Sequence, residues 1–185
     1  MGSLVNRIGR RTRRWACLVL LHLAALISVD ATEPEDELRS ATVLAFIRHS
    51  EWRRPAAGPI RIAVVGRAGM VQTLRRTLEG KTANNRAIQV VDGKLPGDPH
   101  NCQILYVAGE SSGEMRETLA GWRAHALTIG ESDRFLEYGG AVRLVIVDGH
   151  MSFEVSLDAL DRAGVAISST LLRYGQVARQ ARPRV

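Results

Sequence analysis

The 185-residue chain is poor in the residue types that build staples or reactive sites: two cysteines, three each of Phe, Trp and Tyr, and no basic tract beyond its first fifteen positions. Cys17 lies inside an N-terminal apolar run, which leaves Cys102 without a partner for an internal bridge, so a disulfide framework is excluded. Cys102 precedes the apolar run Ile104-Leu105-Tyr106-Val107 and reads as a small buried hydrophobe. His49, His100, His125 and His150 fall on different predicted elements. His100-x-Cys102 offers two ligands where a zinc site needs three or four, so no metal is expected. The turn Gly66-Arg67-Ala68-Gly69 lacks both the third glycine and the following acid of a dinucleotide fingerprint, and no Gly-Lys-Ser/Thr loop exists. It reads as a tight strand-to-helix turn. The serine pairs at 111–112 and 168–169 lack a nucleophile-elbow context, and no motif sets two carboxylates for acid–base work. Neither catalytic residues nor a cofactor are expected. The chain reads as a binding module.

Its longest apolar run, Trp15 to Val29, is broken by His22 and Ser28 and is short against the ~20 residues of a membrane-spanning helix. Arg7, Arg10, Arg11, Arg13 and Arg14 precede it, and Val29-Asp30-Ala31 closes it with small residues at the spacing of a cleavage site. That order is the signature of a secretory signal peptide. Residues 1–31 are therefore expected to be removed between Ala31 and Thr32, leaving a single domain, 32–185, outside the cytoplasm. The basic balance leaves with the signal: residues 1–31 hold five of the 25 Lys and Arg and one of the 19 Asp and Glu, so the remainder carries 20 against 18. Nucleic acid is excluded as a partner.

What remains alternates strand and helix. Glu33 to Trp52 has apolar residues at three- and four-residue spacing behind an acidic first turn and predicts a helix, with Trp52 anchoring it against a sheet. Ile60–Val65, Ile88–Val91, Ile104–Val107 and Ala126–Ile129 predict strands, and Met70–Leu78 and Ser112–Arg123 predict helices. Ala141–Val147 and His150–Ser156 flank Asp148-Gly149, a two-residue hairpin turn. A last helix is predicted from Leu157 to about Arg179, broken at Gly164. The fold class is α/β: a mostly parallel sheet flanked by helices, with a C-terminal antiparallel hairpin at its edge. The loop Phe135-Leu136-Glu137-Tyr138-Gly139-Gly140 has two readings. It could line a ligand crevice at the sheet's end. Alternatively, Phe135 packs inward and the glycines permit a sharp turn.

Taken in order, these segments resemble the YfiR-like family of periplasmic proteins. The resemblance is carried by Ala41–Ile47 with Glu51-Trp52, Ile62–Gly66, Cys102–Val107, Leu127–Glu131, the Phe135…Gly139-Gly140 loop, Met151–Ser156 and Gly164–Leu172. Here Arg53-Arg54 precede Pro55 where the family has proline directly after the tryptophan, Gln103 stands where Asp is frequent, and Ser156 where Asn is favoured. The resemblance implies a repressor that binds the periplasmic domain of an inner-membrane diguanylate cyclase or sensor kinase. It also implies an outer-membrane lipoprotein that sequesters the repressor, and leaves a homodimer open. Arg53, Arg54, Phe135, Tyr138, Gly139 and Gly140 are the candidate partner- or ligand-binding residues. A small-molecule sensor whose crevice lies near Phe135–Tyr138 and the Gly66–Gly69 turn is the alternative.

Overall fold

A computed structural model describes residues 32–53, 57–93, 101–109 and 111–178. The predicted signal segment and Arg54 lie outside them. The short runs rich in Val, Ile and Leu become the centre of one sheet: β2 (Ile60–Gly66), β4 (Arg86–Asp92), β5 (Ile104–Ala108), β6 (Leu127–Gly130) and β7 (Val142–Val147). β8 (His150–Ser156) and β10 (Gln176–Ala178) extend it on one side, and the two-residue β3 (Thr82–Ala83) hooks onto β4 on the other. The spatial order is β10-β8-β7-β6-β5-β2-β4-β3. The ladder from β4 to β7 is parallel throughout. β8 returns antiparallel to β7, with Val147 opposite His150 across the turn. Asp148 and Gly149 hold φ of 51° and 75°, the left-handed pair that such a turn requires.

The central strands are buried on both faces, and for that reason they read as unbroken apolar runs. Ile62, Val64, Ile104 and Tyr106 point to a first core, against Val43, Phe46 and Ile47 of α1 (Thr32–Arg48) and Met70, Leu74 and Leu78 of α2 (Ala68–Leu78). Ala63, Val65, Leu105 and Val107 point to a second core, against Met115, Leu119 and Trp122 of α3 (Ser112–Trp122). Burying each such side chain stabilises the fold by ~1.5–3 kcal/mol before its entropy cost. Ser111 starts α3 with a full capping box, its side chain accepting from the Glu114 amide while Glu114 reaches back.

Three expectations fail at the ends of the chain. The first helix stops at Arg48, and Ser50–Trp52 instead form β1, paired antiparallel with β9 (Val165–Ile167). Trp52 is a half-buried strand residue packed on the first core, not part of the helix. The last helix is also cut short: α4 (Leu157–Ala163) ends on Gly164, at φ 68°. A left-handed residue there turns the backbone out of the helical path. β9, the single turn α5 (Ser169–Leu172) and β10 follow. The hairpin is consequently internal, because β10 pairs parallel to β8 and takes the edge. Among the described residues no helix is long and apolar enough to cross a membrane.

Candidate functional site

Numbered in chain order, the five parallel strands run 2-1-3-4-5 across the sheet. In such doubly wound sheets ligands settle where the order reverses, beyond the carboxyl ends of the first and third strands. Here that point lies between β2 and β5. Gly66, at φ 111°, passes so close to β5 that a Cβ on it would lie 1.8 Å from the Ala108 carbonyl oxygen. The Arg67 amide donates to that same oxygen at 3.0 Å. The Arg67 side chain then folds across Gly109, where a Cβ would meet its Cγ at 3.2 Å.

The guanidinium of Arg67 fills the crevice. It grips Asp36 of α1 in a two-pronged pair, Nη1 to Oδ2 at 3.0 Å and Nη2 to Oδ1 at 2.9 Å. It also reaches Glu131, just past β6, at 3.2 Å. Tyr106, buried in β5, donates its hydroxyl to Glu131 Oε1 at 2.7 Å. Arg39 closes the ring, 3.4 Å from Asp36 and 3.6 Å from Glu131. The Asp36 side chain is 5% exposed. The hydrogen bond to Asp36 raises the Arg67 pKa further above its ordinary value, against a partial loss of solvation, and the Glu131 and Asp36 charges add to the rise. The Tyr106 hydroxyl is pushed well above its usual value, mainly by burial and then by the Glu131 carboxylate. Each charge here has its counter-charge, so the arrangement ties α1 to the sheet and leaves little for a ligand to neutralise.

The opposite end of the sheet is open. A cleft of about 310 Å³ lies at the amino ends of β5 and β6, lined by Trp52, Arg53, Cys102, Gln103, Ala124, His125 and residues 161–164. Arg53 pairs with Asp161, and its amide donates to the Gly164 carbonyl at 2.9 Å, which holds the end of β1 against α4. Arg162 also lines this cleft. Together with Arg123 it approaches Gly139, so that two candidate positions distant in sequence, 53 and 139, meet through α4.

The other candidates fall in different environments. Phe135 is fully buried, its ring clamped between Gly130 and Gly140, where Cβ atoms would come to 2.3 and 2.2 Å. The inward-packing alternative is the one realised. The ring pins an eleven-residue crossover from β6 to β7 that contains no helix. Gly139 and Gly140 are buried within this turn. Tyr138 is half-buried between the guanidiniums of Arg116 and Arg134, 4.8 and 4.9 Å from its ring centroid. A hydrogen bond with Ser112, aided by the two arginines, lowers its hydroxyl pKa. Cys102 is buried, and among the described residues it forms no disulfide. Among the described residues no three His, Cys, Asp or Glu side chains are placed to hold a metal.

Sequence reasoning missed Asp36, Arg39, Tyr106, Arg67 and Glu131 as a group. The available signal was positional: Arg67 and Glu131 each stand immediately beyond the carboxyl end of a parallel strand, where a charged residue must find a partner or solvent.

Fold and site together define a doubly wound α/β domain whose usual ligand crevice is occupied by its own ion pairs. The chain belongs to the YfiR/HmsC-like family, whose model matches residues 36–176, from Asp36 of that ion-pair ring to the first residue of β10. The family is regulatory, periplasmic and tied to diguanylate cyclase signalling. No curated protein matches the chain.

Proposed function

We propose that residues 1–31 are a cleaved signal peptide and that the 32–185 domain is a periplasmic repressor. It binds the extracytoplasmic sensory domain of a membrane-bound diguanylate cyclase, or of a sensor kinase, and restrains its output. The observation that carries this reading is the family match over 36–176, which spans the whole sheet except the last two residues of β10. The filled crevice supports it, because a domain whose switch point is closed by its own side chains has its outer surface left for recognition. Arg53, Arg54 and Tyr138 are the proposed contacts. Phe135, Gly139 and Gly140 serve by shaping the turn that presents Tyr138. An outer-membrane lipoprotein that sequesters the repressor completes the circuit.

Deleting the gene is expected to raise intracellular cyclic di-GMP or the kinase output, and restoring the exported domain is expected to lower it again. Arg53→Ala and Tyr138→Ala should lose repression while the domain stays folded, each costing no more than ~1 kcal/mol of stability, since interface energy concentrates in a few anchors. Unchanged output on deletion would sink the proposal. The cleft beside Arg53 favours a second reading, a small-molecule sensor, and tight metabolite binding together with flat signalling output would put that reading in its place.

A further inference from the structure

Arg123 ends α3 and Arg162 lies near the end of α4, and both side chains are exposed. A point one Cβ bond out from Gly139 lies 3.7 Å from Nη1 of Arg123 and 3.9 Å from Nη2 of Arg162. The two cations are therefore no further apart than the sum of those distances. Among the described residues neither has an ion-pair or hydrogen-bond partner. The nearby carboxylate, Asp161, is taken by Arg53. Two guanidiniums thus converge without a counter-charge, on a spot that glycine leaves empty of side chain. The Gly139 and Gly140 amides cannot supply a ligand, because they already donate to Leu136 and Phe135. Recognition here rests on the arginines. The adjoining cleft adds a neutral donor: Trp52 lines it, and among the described residues its buried indole N–H has no partner.

We propose that Arg123 and Arg162 form an oxyanion site beside Gly139, taking a carboxylate or phosphate group held jointly by the two planar forks. Guanidinium matches both anions through paired N–H donors, and convergence of two such groups raises selectivity for an oxyanion over chloride. Asp161 remains with Arg53 and fixes α4, so the Arg162 side chain projects from a braced element rather than from a free one. The site does not depend on the repressor reading. Its natural occupant is either a free small anion or a glutamate or aspartate side chain offered by another protein, and the chemistry at the arginines is the same.

The test uses the exported protein recovered from the periplasm, in chloride buffer of fixed ionic strength. Inorganic phosphate, succinate and a blocked glutamyl tripeptide are titrated separately and followed by calorimetry and by arginine side-chain NMR shifts. Saturable one-site binding is expected for at least one probe. Arg123→Gln and Arg162→Gln should each weaken it about tenfold, the loss expected for one charge-assisted pair. Arg75→Gln, on the exposed face of α2, should leave it unchanged. Binding of phosphate or succinate alone assigns the site to a free anion, and binding of the peptide assigns it to a protein side chain. Non-saturable binding of all three, or equal affinity in the Gln variants with their fold intact by circular dichroism, overturns the proposal.

Discussion

At the carboxyl end of the sheet, Arg67 and Arg39 stand against Asp36, Glu35 and Glu131; at the amino end, Arg53 pairs with Asp161 while Arg123 and Arg162 converge beside Gly139. The first group is mostly shielded and every cation in it is paired, with Asp36 and Glu131 side chains 5% and 15% exposed. The second is solvated, with the Arg53–Asp161 pair 64% and 74% exposed. The same residue types are thus committed to architecture at one end and left available at the other. A partly buried charge is tolerated only when paired. An exposed one is under no such obligation, and its partner can come from outside.

The difference is sharpest in backbone space. Gly66 and Gly139 both hold positive φ, 111° and 95°. A methyl group at 66 would collide with the Ala108 carbonyl at 1.8 Å, whereas at 139 the nearest atom is a flexible arginine carbon at 3.6 Å. Gly66→Ala is expected to abolish folding or to cost more than ~4 kcal/mol, in the exceptional range for one substitution. Gly139→Ala carries backbone strain alone, ~1–3 kcal/mol. Denaturant midpoints of the two variants measure this contrast directly, and equal losses would break it.

The next contrast removes one arginine from each end. Arg67→Met strands two carboxylates and is expected to cost about 2–3 kcal/mol. That is below the ~3–5 for a wholly buried pair, because a third of the Arg67 side chain meets solvent and Arg39 stays nearby. Arg53→Ala should cost no more than ~1 kcal/mol, the range of exposed pairs. Thermal unfolding of both at neutral pH decides whether the two ends differ as described.

How much of this was legible beforehand depends on how local each feature is. Parallel strands such as Ile60–Gly66 announce themselves because both faces are buried and the run is apolar throughout. The hairpin was legible because Asp148-Gly149 is a local code for a local turn. β1 and β9 were not: each has three residues, and each is a strand only because the other pairs with it across most of the chain. The break at Gly164 was legible, but the helix expected to resume beyond it did not form, because Val165–Ile167 pair with β1 as a strand. The Asp36–Arg67–Glu131 ring escaped notice because its members lie 31 and 64 residues apart and carry no motif. Arg53 and Gly139 were nominated separately, and their convergence through Arg162 is a property of the fold.

The smallest expected effect concerns proton uptake. Tyr106 holds its proton in the folded protein to higher pH than in the unfolded chain, so its contribution is complete below the ordinary tyrosine range and is lost as pH rises beyond it. Above about pH 10, stability should fall by up to ~1.4 kcal/mol per pH unit from this group. Tyr106→Phe should flatten that slope and cost about 1 kcal/mol at neutral pH for the lost bond to Glu131. Ultraviolet titration of the native protein should show the reverse at Tyr138, which ionises below the ordinary value. If Tyr106 titrated alongside Tyr138 in the folded state, the closed end of the sheet would be open to solvent after all.

The pairing of β1 with β9 also fixes a schedule. Synthesis delivers α1 and β1 first, yet Ser50 must wait for Ile167, Arg53 for Asp161, and the edge-on contact between Phe46 and Phe153, with ring centroids 4.9 Å apart, for β8. Until those late residues emerge, one flank of the first helix is apolar and uncovered, and no nearer segment can finish the ribbon. Chains that stall or are clipped before about residue 150 therefore display Phe46 and Ile47 to the surroundings. Such a chain is sticky and readily recognised by chaperones and proteases, so incomplete copies are marked for disposal by the same helix that the complete chain encloses.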